Sequence, residues 1–222
     1  MRYSYALWIN SNFLLAKADD WSYIWLMSKR ELKKEQLLEL GMDVMKARGF
    51  NGTSVKDIVD AAGVPKGSFY TYFDSKETFA VEALERAAQE GLQLMRNKLN
   101  HTGEAPLVRL RQFFESKVDE ATEAGFTIGC FLGNICQEMA DSSDVIRLKV
   151  RQPLRNHTQL IQDVLEEAQQ QGDIAPNCDT REMAEFIFNA WEGALMRMKA
   201  AKCREPLDAF LAMLPRVVAA AG

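Results

Sequence analysis

The chain has 222 residues, 47% of them hydrophobic, and a formal net charge of −4. That length and apolar content support a full core, which excludes a disordered polymer and allows one domain or two modest ones. With only 13 glycines and 6 prolines and no alternating β-branched runs, the chain reads as all-α.

The negative total hides an uneven distribution. Between Ser28 and Ala80 there are nine Lys/Arg against eight Asp/Glu, whereas from Val81 onward there are sixteen against twenty-one. A small, relatively basic head on an acidic body is compatible with DNA binding. The four cysteines, Cys130, Cys136, Cys178 and Cys203, form no CxxC pair, and only His101 and His157 are available as co-ligands. Neither a metal nor a cofactor is expected. Cys130 and Cys136 would lie roughly 240° apart around one helix, too far to bridge. With no recognisable secretory signal, the expected setting is a reducing cytoplasm with free thiols.

In chain order, residues 1–27 come first, with Trp8, Trp21 and Trp25 in MRYSYALWINSNFLLAKADDWSYIWLM. A membrane anchor needs an unbroken apolar stretch, and Asn10, Asn12, Lys17, Asp19 and Asp20 interrupt this one. The segment reads as a poorly ordered extension or a mis-set start, since Met27 opens a credible N-terminus, MSKRELKKEQ. From Lys29 to Arg48, Leu37, Leu40 and Val44 recur at helical spacing, and Gly49 is a natural stop. Ser54, three residues before Asp57, makes a capping box that opens a short second helix, VKDIVDAA, ended by Gly63. Pro65 suits a helix's first turn, where its missing N–H has no intrahelical partner, so a third helix is expected to start at the proline.

DSKE, Asp74 to Glu77, supplies the next cap, with acid in the first turn of a long helix through about Leu99. Further helices are expected at Pro106–Glu123, Cys130–Ala140, Ser143–Gln171, Thr180–Lys202 and Glu205–Ala220. They are separated by EAGFTIG, DSS, QGDIAPNCD and CREP. The expected division is an extension over 1–27, a three-helix head over 28–79 and a larger helical body over 80–222.

Two short helices joined by a glycine-containing turn, packed on a first helix, make a helix-turn-helix candidate. At about 100° per residue, Phe69 and Phe73 share one face of the third helix while Gly67 and Thr71 lie nearly opposite. The outer face is small, flanked by Lys66, Tyr70 and Ser68, which suits entry into a major groove. Gly67 would permit close approach, Ser68 and Thr71 would reach bases or phosphates, and Tyr70 and Lys76 would hold the backbone.

GFNGTSVKDIVDAAGVPKGSFYTYFDSKETF, Gly49 to Phe79, strongly resembles the N-terminal domain of the TetR family of transcriptional repressors. The shared pattern is a Gly-Phe, a Thr/Ser cap, an Ile, and Ala-Gly-Val-x-x-Gly-x-(Phe/Leu)-Tyr-x-(Tyr/His)-Phe-x-(Ser/Asn)-Lys-Glu. Val59 stands where many members have alanine. The resemblance implies that Lys66, Gly67, Ser68, Tyr70, Thr71 and Tyr72 lie on the recognition side, with Thr53, Lys56 and Lys76 at phosphates. It further implies a homodimer on a near-palindromic double-stranded operator.

In the body, AEFIFNAWEGALMRMKAAK carries Phe186, Ala190, Gly193, Ala194 and Arg197, whose small members let two helices approach closely. In the family this pair of helices forms the dimer interface; packing within one chain is the alternative. GFTIGCFLGNICQEMADSSDVIR, Gly125 to Arg147, resembles the branch typified by the N-ethylmaleimide-responsive repressor and acrylate-responsive relatives, with Cys130 on that branch's cysteine and Lys199 on its lysine. A thiol in a helix's first turn is favoured as thiolate by the dipole, which would make Cys130 a sensor of electrophiles; a buried inert thiol is the other reading. Phe113, Phe114, Phe126, Phe131 and Trp191 are candidates to line an effector cavity or are simply core. No G-x-S-x-G, H-E-x-x-H, P-loop or dinucleotide fingerprint appears, so an enzyme is not expected.

Overall fold

The computed structural model describes residues 29–100 and 103–219. The extension expected over 1–27, and His101, lie outside the described residues. Within them are nine α-helices: α1 Lys29–Arg48, α2 Val55–Ala62, α3 Lys66–Phe69, α4 Lys76–Leu99, α5 Pro106–Glu123, α6 Phe131–Met139, α7 Asp144–Gln171, α8 Thr180–Ala201 and α9 Glu205–Ala219.

Local chemistry sets most of the boundaries. Gly49 (φ 76°) and Gly63 (φ 66°) take the left-handed conformation that ends α1 and α2. Both halves of the capping box are present at α2: Asp57 N–H donates to Ser54 Oγ at 3.1 Å, and Ser54 N–H donates to Asp57 Oδ2 at 2.8 Å. Ser75, Ser143 and Asp179 are the N-caps of α4, α7 and α8, each side chain accepting from backbone N–H groups of the first turn.

Three helix starts differ by one residue from the sequence reading, each because a cap sits outside its helix, and the ends expected at Ala140 and Lys202 are likewise C-caps just beyond α6 and α8. Pro65 (ψ 147°) is the N-cap of α3 and the helix begins at Lys66. Cys130 and Ser143 are likewise the N-caps of α6 and α7. The third helix is also short: after Phe69 the chain tightens into turns, with Thr71 N–H donating to Ser68 O and Tyr72 N–H to Phe69 O.

Two hydrophobic cores form. The first gathers Leu37, Met45, Ile58, Phe69, Phe73, Phe79 and Leu84 from α1 to α4, together with Phe131, Leu132 and Ile135 of α6 and Ile146 and Val150 of α7. The second joins α5, α7, α8, α9 and the C-terminal part of α4 around Phe114, Ile161, Trp191, Met198 and Phe210. Helix α4 therefore passes from one core to the other. The apolar centre of the head does not stop at residue 79, because α6 and the start of α7 complete it.

Candidate nucleic-acid interface

The reading edge is built on three phenylalanines. Phe69, Phe73 and Phe79 are at most 1% exposed, with ring centroids 5.0–5.8 Å apart. Such aromatic contacts anchor α3 from beneath. Opposite them Lys66, Gly67, Tyr70 and Thr71 are exposed and Ser68 is partly so, whereas half-buried Tyr72, expected on the same outer side, packs against the core with the phenylalanines. Tyr70 is 55% exposed although its ring lies edge-on against Phe69 at 5.3 Å.

Gly67 is informative because the fold does not need it. A side chain there would meet nothing within 4 Å, and its φ is not positive. Glycine inside a helix costs about 1 kcal/mol relative to alanine. The vacancy is on the outer face, where another molecule's surface can come close.

The expected phosphate contacts divide. Lys56 is exposed and pairs with Asp60 one turn on, a solvated pair that a phosphate can replace at little cost. Thr53 is a correction: its side chain is 1% exposed, and its hydroxyl donates to Gly49 O at 2.7 Å, so it closes the α1–α2 turn instead of facing outward. Lys76 Nζ donates to Phe50 O and Thr53 O, both at 2.9 Å, and lies 4.1 Å from the centre of the Phe50 ring. Two of its three N–H groups are thus spent holding that same turn. Arg30, which sequence reasoning did not single out, donates to Thr71 O at 3.3 Å from the N-terminal end of α1.

The expected sensing residues are not brought into one cavity. Phe113, Phe114 and Trp191 pack in the second core, with Phe114 and Trp191 both against Phe210 at 4.8 and 5.2 Å. Phe131 packs in the first core. Phe126 lies at the edge of the second core with φ 58°. Cys130 sits at the seam, in contact with both cores.

Its surroundings act against the pull of the helix dipole toward a thiolate. Gly133 N–H does donate to Cys130 Sγ at 3.3 Å, but burial, followed by the charge of Glu192, pushes the thiol well above its ordinary range. Burial also raises the Glu192 carboxyl, against a hydrogen bond with Cys130 that lowers it. Lys199 lies along Gly129, its Cδ 3.2 Å from where a Cβ would stand, and the charged group acting on the thiol is Glu192. Glu192 was missed because a lone carboxyl in WEGA carries no spacing signal.

On α8 and α9 an apolar groove of ≈ 380 Å³ is lined in part by Phe186, Ala190, Gly193, Ala194, Arg197 and Met213, so the expected dimer residues do share one face. Phe186 is 58% exposed and Met213 50%. A side chain at Gly193 would meet nothing within 4 Å. No described helix is long and apolar enough to cross a membrane.

Comparison with known proteins agrees with this geometry. Residues 37–83 match the bacterial regulatory proteins of the tetR family, and residues 106–214 match the Tetracyclin repressor-like C-terminal domain. The chain is 33% identical over 181 residues to the HTH-type transcriptional repressor DhaR of Mycobacterium sp. (strain GP1), covering 82% of this chain and 89% of that protein. The crystal structure of a regulatory protein TetR from Rhodobacter sphaeroides superposes with a TM-score of 0.79 at 31% identity, covering 83% of this chain and 98% of that one. For the reduced form of E. coli NemR the TM-score is 0.75 at 27% identity, covering 82% and 94%. A helical head whose outer α3 face is cleared of bulk, joined to a helical body, and these similarities along both parts together show that the chain belongs to the TetR family of bacterial regulatory proteins.

Proposed function

We propose that the chain is a homodimeric repressor that holds a near-palindromic operator and releases it when a small molecule or electrophile acts on the body. The observation that carries the DNA half is the outer face of α3, where Gly67 leaves open space between exposed Lys66, Tyr70 and Thr71. Phe69 and Phe73 hold the opposite face in the core. In this reading Ser68 and Thr71 select bases, Tyr70 and Lys56 hold phosphates, and Lys76 acts by fixing the turn that carries α2.

The groove on α8 and α9 supports the dimer. Exposed Phe186 and Met213 beside Gly193 form an apolar surface with room for a partner helix. Two copies related by a twofold axis would set their α3 helices in successive major grooves.

The signal is placed at Cys130 because it caps α6, touches both cores and bonds Glu192. Movement there reaches the head through α6 and α4. The upward push of burial and of Glu192 on this half-buried thiol favours a second reading, a non-covalent ligand that inserts at this seam. Operator release measured against a panel of electrophiles and neutral ligands, in wild type and Cys130→Ser, separates the two. Release by electrophiles that disappears in Cys130→Ser supports covalent sensing; release by a neutral ligand in both supports insertion; release by none contradicts control at this site.

A further inference from the structure

Among the described residues a polar contact links the body to the reading head without passing through α4. Glu138, in the last turn of α6, accepts a hydrogen bond at 2.8 Å from the backbone N–H of Asn51, 87 residues earlier, in the α1–α2 turn. The same carboxylate fills the space over Gly49, where a Cβ would stand 2.1 Å from Glu138 Oε1. By contrast, Ser143 donates to Glu77 and Lys149 pairs with Glu85, and both of these ties end on α4. The turn that Glu138 holds is the one Lys76 holds from the other direction, through Phe50 O and Thr53 O, and it leads directly into the Ser54 cap of α2.

We infer that Glu138 is a positioning residue for operator recognition: it fixes the α1–α2 turn from α6 and so sets the pose of α2 and α3 on the DNA. This inference rests on the DNA-binding reading above. The physical case is one of geometry. A side-chain oxygen at this distance accepts well from a backbone N–H, and an amide oxygen of the same reach can take the carboxylate's place. Here the donor lies in the α1–α2 turn and the acceptor on α6, whose Phe131, Leu132 and Ile135 pack into the core shared with α1 and α2. Loss of the bond frees a turn with two glycines, Gly49 and Gly52, while the core beneath stays packed. Since Cys130 caps the other end of the nine-residue α6, a shift of that helix draws on this contact as well as on α4.

The test uses the full-length protein and a duplex enriched from random-sequence DNA by the wild type. Glu138→Gln keeps the reach and an acceptor oxygen but removes the charge; Glu138→Asp keeps the charge but is one methylene short; Glu138→Ala removes both. Operator affinity by fluorescence anisotropy should fall roughly tenfold or more in Ala and Asp and be retained in Gln. Amide hydrogen exchange at Asn51 in the free protein should accelerate in Ala and Asp but not in Gln. Ala binding within twofold of wild type, Gln losing as much as Ala, or unchanged Asn51 exchange in Ala each overturns the inference. If the wild type enriches no duplex, the DNA-binding reading itself fails, and the inference with it. Should the Ala variant fail to fold, the comparison of Asp with Gln still decides, because their difference isolates reach from charge.

Discussion

At Gly67 the open space on the outer face of α3 separates what folding needs from what binding needs. Gly67→Ala should raise thermal stability slightly, by up to about 1 kcal/mol, because the added methyl meets no neighbour. The same methyl should weaken operator binding, so melting temperature and affinity are expected to move in opposite senses; a parallel fall would place the glycine's role inside the fold. Cys130 gives a second test with a definite sign. The thiolate is the nucleophile, and the folded protein raises the thiol, so the reactive fraction is small at neutral pH and grows with every unit of pH. Alkylation of Cys130 by N-ethylmaleimide, followed by peptide mass spectrometry, should be slower than in the unfolded chain and climb about tenfold per unit to pH 9 without a plateau. Removing the neighbouring charge by Glu192→Gln should speed it by about two- to tenfold; a plateau below pH 8 would contradict this description of the thiol. The two environments differ in how far the sequence shows them. Gly67 could be placed on the outer face by periodicity, but Glu192 acts on Cys130 from 62 positions away, and no local pattern encodes that pairing.

Helix ends were the best-read feature at the scale of elements, because caps are local chemistry. The Ser54–Asp57 box, Ser75, Gly49 and Gly63 all act within a few residues of where they stand. The reading placed caps inside helices at Pro65, Cys130 and Ser143, and it gave Thr53 and Lys76 outward roles that tertiary contacts redirect inward to the α1–α2 turn. The packing of α3 predicts a large effect: Phe69→Ala, a fully buried ring among Phe73 and Phe79, should cost about 3–5 kcal/mol in denaturant unfolding and abolish DNA binding. The face of α8 and α9 predicts the opposite pattern. Phe186 is largely exposed in the single chain, so Phe186→Arg should leave helical circular dichroism unchanged while shifting sedimentation at micromolar concentration from two chains toward one. A wild-type monomer at that concentration would defeat the dimer reading.

Across the whole molecule, composition and periodicity recovered the all-α class and nearly every helix, but not how the helices share their cores. A division at residue 79 follows naturally from the helix-turn-helix pattern, whereas α6 and the first turns of α7 pack into the head's own core. That arrangement depends on contacts between segments far apart in sequence, such as Ser143 with Glu77, 66 residues away, and it joins the head to the body by a common core as well as by α4. Coupling of this kind is reciprocal, so an effector that lowers operator affinity must itself bind more weakly, by the same factor, when operator is present; equal effector affinity in both states, measured by calorimetry, would rule out the release mechanism.

The central claim is that two copies of this chain read one duplex through α3. It is tested most directly by titrating the enriched duplex with protein across a salt series, following anisotropy and stoichiometry together. The account predicts two chains, or a multiple of two, per duplex, preference over a scrambled duplex, and affinity that falls linearly on a log–log plot against salt. Equal affinity for both duplexes, or saturation at one chain per duplex, would contradict it.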